Sequence, residues 1–499
     1  MSTSNRRQFL QTSAAGAVAL AAPFNFARAA GPKKGGVMRM GKAHGQTVDS
    51  LDPATHENGF TLALTHGIHN YLTEVSASGA LAGQVAESWE ASADATSWTF
   101  KLRRGMTYHD GREVTADDVI ASITHHRGEK SKSAAKPIVS PIKEMQADGK
   151  HTVVFHLEAG NADFPYIVSD YHLPIMPSKD GKAHWQSGIG AGAYKINKFE
   201  PGVRLDLDKY AGYWDSGRGH FEQIQMITIV DPAARTNAII TGEVDAIDRV
   251  DLKTVHLLKR RKGINIHSIA GTQHYTFPMR TNVAPYNDNN VRMALKHALD
   301  RKEMVAKILQ GFGVIGNDHP IGPGQRFFAK DLEQRTYDPD KAKHYLEKAG
   351  LDSLSVDLHV ADAAFAGAVD AGALFAETAK ACGINMQVIR EPNDGYWSNV
   401  WNKKAFCACY WGGRPTADWM FSTAYEAGVA WNDTAWEHAE FNQLLQVARA
   451  ELDEGKRRQM YADMQGIVRD EGGVIVPMFA SYVFATSDKL GLPKTMASN

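Results

Sequence analysis

Hydrophobic and polar positions alternate or recur at fixed spacing along most of this chain, and the spacing predicts its elements. Trp98, Phe100 and Leu102 alternate with Thr99, Lys101 and Arg103, the period of a half-buried strand. Residues 151–158 repeat that period. Val203, Leu205 and Leu207 alternate with Arg204, Asp206 and Asp208 behind a Pro201-Gly202 turn. Helices are marked by their caps. Thr115-Ala116-Asp117-Asp118 is a capping box opening a helix to about Arg127. Asp231-Pro232 opens a second helix and Gly242 closes it, and Asp338-Pro339 and Gly350 frame a third. Residues 61–72 read as helix, and 290–310 as a long helical region restarted by a cap at Asp300. Residues 435–452 and 456–470 form two amphipathic helices. Beyond Gly350 come a strand at 354–360, a helix at about 365–382 and a strand at 384–390. That order predicts a strand-helix-strand unit with parallel strands, hence an α/β fold. Residues 269–282 are extended and aromatic, and 474–485 are apolar enough to return into a core.

The most informative stretch is 405–421, AFCACYWGGRPTADWMF. An apolar run of strand type breaks at Gly412-Gly413 and turns polar at Arg414, Pro415 and Asp418, between Trp411 and Trp419. A buried strand ending in glycines brings rigid side chains to a place where another backbone or a ligand can approach. Aromatic planes, a guanidinium and a carboxylate within eight residues suit a pocket that stacks on a small polar molecule and pairs its charges. The competing reading is a loop whose tryptophans are core and whose charges are solvated.

With 499 residues, 43% hydrophobic and 22% charged, the chain can bury a large core spread over several domains. Formal net charge is −1, which gives no electrostatic footprint for nucleic acid. Residues 1–30 hold Arg6, Arg7 and Arg28 and no acid, then an alanine-rich apolar run and Ala27-Arg28-Ala29, a small-x-small cleavage pattern. This is a signal peptide, and the paired arginines before Phe9-Leu10 resemble the twin-arginine export signal. Removal near Ala29 or Ala30 predicts a periplasmic protein and takes the net charge to −4. The apolar run is too short to span a bilayer. No cysteine stands near the cleavage site to carry a lipid, so membrane anchoring is not expected. Cys382, Cys407 and Cys409 are an odd set, and a bridge between the last two, on one face of a strand, would be strained. Buried thiols are the expectation.

Several blocks resemble the periplasmic solute-binding proteins of ATP-driven peptide and nickel importers, family 5. These are Leu51-Asp52-Pro53, residues 81–89, 100–119 (FKLRRGMTYHDGREVTADDV), 190–194 (GAGAY), Pro201-Gly202, Tyr213-Trp214 and 234–245. Residues 285–301 and 338–350 fit the second half of that family. The resemblance implies two α/β lobes around a cleft, with lobe one at 31–272 holding an extra subdomain at about 62–185. Lobe two would be 273–474, and 475–499 would return to lobe one. It implies a monomer that closes on a small solute and docks on an inner-membrane ABC permease with its ATPase. In peptide-binding members an aspartate three residues after the tryptophan pairs with the ligand's α-ammonium. Here that position is Arg414, which cannot do so. Either Asp418 takes over from a shifted loop, or the ligand presents a carboxylate that Arg414 holds. The ligand is then a peptide or amino-acid conjugate, or another anionic or polar metabolite, or a metal complex. Trp411, Gly412, Gly413, Arg414 and Asp418 are the first site candidates. Trp397, His274 and Tyr275 at the crossover, and Asn58 and Gly59 at the rim of lobe one, complete the set.

Catalysis finds no support. There is no G-x-S-x-G elbow or Walker loop, and His56-Glu57 lacks the second histidine of a zinc-protease helix because position 60 is Phe. No cofactor or resident metal is expected. Of the 20 histidines, the adjacent His125 and His126 point apart on a helix, and His109 reads as structural within its turn.

Overall fold

A ribbon of two long antiparallel strands, Ile264–Pro278 and Val474–Ser487, runs through the middle of the molecule. The computed structural model describes residues 32–493 except 57, together with 496. Residues 1–30, where the sequence predicts a signal peptide, and most of the tail after 493 lie outside the described residues. The ribbon pairs 264–270 with 481–487, slips register between Ala270 and His274, then pairs 274–278 with 474–479. Gly271 stands in the slip, and a Cβ there would meet the Ala480 carbonyl oxygen at 2.3 Å. Only glycine permits that approach.

The ribbon lies within a nine-stranded sheet. On one side come Ala246–Ile247, Val37–Lys42, Gln223–Thr228 and the hairpin Tyr194–Glu200/Arg204–Lys209; on the other, Cys409–Trp411 forms the edge. Val37–Lys42 is parallel to both its neighbours, the mark of an α/β layer, and Pro232–Thr241 is the helix between two of these strands. Its Asp231 cap accepts from the Ala234 N–H, and Gly242 closes it at φ 77°. The same cap-then-proline text builds Pro339–Lys348 behind Asp338.

Residues 86–157 supply a separate four-stranded antiparallel sheet, packed by the helix Ala116–His125 around Trp98, Phe100, Val119, Ile123 and Phe155. At its start the Asp118 carboxylate accepts from the Thr115 N–H and hydroxyl, each at 2.9 Å. Beyond the ribbon, Leu354–Val360 and Ile384–Arg390 pair in parallel around the helix Ala368–Lys380, as the alternation predicts. Separate cores serve the two sides: one around Phe277, Leu295 and Phe375, another around Val244, Ile247 and Leu258. The result is two α/β lobes joined by the ribbon, with the extra sheet inserted in the first.

Some boundaries differ from the expectations. The helix expected at 61–72 is Gly59–Ile68, and the chain leaves it to meet Gly190 and Gly192. Cβ atoms at those glycines would fall 1.8 Å from the Ile68 carbonyl oxygen and 2.5 Å from its carbonyl carbon. Close backbone packing explains why glycine stands at both positions. The apolar run from Ala405 is a strand only over Cys409–Trp411, because Phe406 and Cys407 make single bridges to different strands. All three cysteines are free and buried.

Candidate functional site

The edge strand Cys409–Trp411 pairs with the ribbon at Thr276, Tyr275 and His274 and then runs into Gly412 and Gly413. Gly413 has a local reason to be glycine. A Cβ there would lie 1.8 Å from the Thr272 hydroxyl oxygen and 3.1 Å from its backbone carbon, so the loop is pressed against the ribbon at its register slip. Arg414 is thereby held where the two lobes face each other. Its guanidinium donates to the Gly412 carbonyl at 3.0 Å and the Gly413 carbonyl at 3.3 Å. Among the described residues no carboxylate forms an ion pair with it. Burial lowers its pKa, opposed by Tyr171 and Asp170 of the inserted subdomain, so the charge lies near that subdomain. Asp170 itself is held by His172 at 2.7 Å. The adjoining cavity, about 350 Å³, is lined by Ser76 and Ser78 of the subdomain, Ile269 of the ribbon, and Pro323, Gln325 and Pro415 of lobe two.

The other candidates divide. Asp418 is not a free carboxylate: Arg449 Nε donates to both its oxygens, at 3.1 and 3.2 Å, and buries the pair in lobe two. Burial pushes its carboxyl up to about 6 against the pull of Arg449. A shifted loop therefore does not release it towards the cleft, and of the two anchors weighed from sequence only Arg414 keeps an unmatched charge. His274 is fully buried, with Nδ1 against the Thr272 carbonyl at 3.2 Å and Nε2 without a partner among the described residues; burial pushes its pKa down to about 4. Tyr275 stacks on Phe365 at 4.2 Å with rings 7° apart. Asn58 caps the helix after it and donates to Asp49, so its side chain is committed to structure.

Gly59 faces a charged corner of lobe one. Its added Cβ would come within 4 Å of Asp248, Lys42 and His44, and Lys42 pairs with Asp248 at 2.8 Å. Next to them Arg249, in left-handed backbone at φ 46°, is exposed and makes no side-chain hydrogen bond or ion pair among the described residues. It acts on the Tyr275 hydroxyl electrostatically, which places it opposite the aromatic edge of lobe two.

That edge is larger than the sequence suggests. Trp397, Trp401, Trp411, Trp431 and Tyr410 form one cluster with centroids 5.6 to 6.5 Å apart, and Trp397, Tyr410 and Trp431 are 41%, 39% and 51% exposed. Behind it lies Asp433, fully buried, accepting from Trp401 Nε1 at 3.0 Å. Trp401, Trp431, Asp433 and Arg249 were not singled out by sequence. The four-residue step from Trp397 to Trp401 was the available signal for one of them. The histidines set aside earlier are structural: His109 bonds the Gly192 carbonyl, His125 Asp52, and His126 Ser133.

Comparison with known proteins follows the same lines. Residues 80–433 match the family model of bacterial extracellular solute-binding proteins, family 5 Middle. The dipeptide-binding protein of Escherichia coli (strain K12) is 24% identical over 439 residues, covering 79% of each chain. Among solved structures, HbpA2 from Haemophilus parasuis superposes with a TM-score of 0.81 at 20% identity, covering 91% of this chain and 96% of that one. NikA from Brucella suis in complex with Fe(III)-EDTA gives 0.79 at 19%, covering 93% and 98%. Two lobes, a cleft beside the Trp411 loop and a family match over most of the sequence lead to one conclusion: the chain belongs to the bacterial extracellular solute-binding proteins, family 5, which capture solutes for ABC importers.

Proposed function

We propose that this protein captures a small solute bearing a carboxylate, a short peptide or amino-acid conjugate, between its lobes and delivers it to an ABC permease. The carrying observation is Arg414. A half-buried guanidinium that, among the described residues, is hydrogen-bonded to carbonyls of its own loop, one residue before Pro415 in the wall of a cavity shared by both lobes, is prepared to take a bidentate anion. Trp411, buried behind the loop, would back the site and Gly412 would admit the ligand's backbone, whereas Gly413 is closed off by Thr272. The likeness to a dipeptide-binding protein supports the peptide class.

The test is the melting temperature of the mature protein, refolded free of ligand, against dipeptides, their N-acetylated and C-amidated forms, and small organic acids. At a hundredfold excess over the dissociation constant, binding adds about 2.7 kcal/mol, visible as a shift of a few degrees. A response that is weakened but not abolished by N-acetylation and that disappears on amidation is expected. A response indifferent to the carboxylate would remove Arg414 from the role. Small acids acting as well as dipeptides would make the ligand a non-peptide metabolite.

Residues 1–30 support export through the twin-arginine route to the periplasm, with cleavage near Ala29 or Ala30. Replacing Arg6 and Arg7 together by lysine should leave uncleaved precursor in the cytoplasm; undiminished periplasmic protein would refute the assignment.

A further inference from the structure

The aromatic cluster of lobe two is packed edge to face, an ordinary arrangement for aromatic rings, but unlike a core cluster it reaches the surface. Trp401 stands nearly edge-on to Trp397, Trp411 and Trp431, at 72°, 68° and 76°, and Trp397 meets Tyr410 at 74°. Rings at near right angles present faces from several directions, and three of them are open to solvent. An aromatic face carries negative potential and attracts a cation within about 6 Å of its centre.

Asp433 supplies the second, independent observation. This carboxylate is 5% exposed and takes a hydrogen bond from the indole N–H of Trp401, with the Trp411 and Cys409 side chains also favouring its charged form. No lysine, arginine or histidine pairs with it among the described residues. A buried carboxylate without a cation is costly unless something brings the charge. A carboxylate accepting from an indole N–H also pushes electron density into that ring, so the field of Asp433 is passed to the faces of the cluster. Trp431, two residues before Asp433, is the most exposed of these rings.

Among the described residues Arg414 is a cation without a paired anion and Asp433 an anion without a paired cation; the Trp411 strand leads directly into the Arg414 loop and packs against the rings that cover Asp433. We infer that the aromatic cluster formed by Trp397, Trp401, Tyr410 and Trp431, backed by Asp433, is a subsite for an organic cation on the ligand, an ammonium or its methylated form. The solute is then a zwitterion whose positive end rests on ring faces instead of forming a direct ion pair. This rests on the proposed role of the cleft and narrows its substrate class.

The test compares two isosteric probes by calorimetric titration of the ligand-free mature protein. N,N,N-trimethylglycyl-alanine and 3,3-dimethylbutanoyl-alanine have the same shape and the same carboxylate, and differ by one positive charge; glycyl-alanine is titrated beside them. The cationic probe should bind about tenfold or more tightly than the neutral one. That ratio should fall towards one in Trp431→Leu, whose exposed position keeps folding out of the result, and should shrink in Trp401→Phe, which retains a ring but loses the N–H to Asp433. Equal binding of the two probes, or a preference unchanged in Trp431→Leu, overturns the cation subsite while leaving the carboxylate-binding cleft intact. Binding of glycyl-alanine with neither probe overturns it in the same way, whereas no binding of any of the three brings down the cleft reading as well.

Discussion

Two of the buried carboxylates of lobe two, Asp318 and Asp433, meet opposite conditions. Asp318, fully buried, receives Arg301 at 2.6 Å, Arg335 at 2.7 Å and the Val476 N–H at 3.0 Å. Burial alone would raise its carboxyl, but Arg301, Arg335 and Lys296 outweigh it and hold it well below the ordinary range. Asp433 meets indole and thiol instead of cations, and burial pushes it up to about 6. The first is a completed structural network that pins the loop after residue 315 to the return strand. The second is a charge left waiting. Saturated and unsaturated charge at similar depth separates framework from binding surface better than burial does.

Breaking the saturated side should have the largest effect. Asp318→Asn leaves two buried guanidinium groups short of charge and should cost about 3–5 kcal/mol of stability in urea unfolding, with solute affinity little changed in whatever protein remains folded. Arg414→Ala should do the reverse. Affinity for a carboxylate-bearing solute should fall by about 2–5 kcal/mol in calorimetric titration, while the denaturation midpoint moves little; an unchanged dissociation constant would place Arg414 outside the site.

Acidity sharpens the contrast further. The folded pKa of Asp433 lies above its unfolded value, so its contribution to stability is present below about pH 4 and lost as pH rises through about 6. Stability profiles of wild type and Asp433→Asn should therefore diverge across that window, the variant gaining roughly 3 kcal/mol relative to wild type between acid and neutral pH. Parallel profiles would mean that the carboxylate is not strained by burial.

The smallest effect at neutral pH is expected at His319. It is buried with both ring nitrogens unpartnered among the described residues, and burial pushes its pKa down to about 3. Its folded pKa is below the unfolded one, so stability is full above about pH 6.5 and declines as pH falls. His319→Leu should stay within about 1 kcal/mol of wild type at pH 7 and lose stability less steeply in acid.

Local signals in the sequence carried far. Asp231, Pro232 and Gly242 bound their helix because cap chemistry acts within one turn, and the parallel pair 354–360 with 384–390 follows from the length of the helix between them. Trp411 and Arg414 were visible because the glycines beside them interrupt an apolar run. Asp418 looked equally available, but its fate is decided by Arg449, 31 residues later, and no local pattern reveals that pairing. Asp433 and Trp431 sit in a polar loop of ordinary appearance, and only the approach of Trp401 makes them a group. What remained hidden was which charges the fold neutralises.

The continuous ribbon has a mechanical consequence. Two strands bonded edge to edge flex readily out of their common plane and resist shearing within it. The register slip at 271–273 is the thin point of the ribbon, where any bending of one lobe against the other would concentrate. Gly413, wedged against Thr272 at that point, couples the Arg414 loop to the bend itself. A solute that seats on the loop thus pushes directly on the fulcrum, and its hold on the protein is set partly by the stiffness of a backbone it never touches.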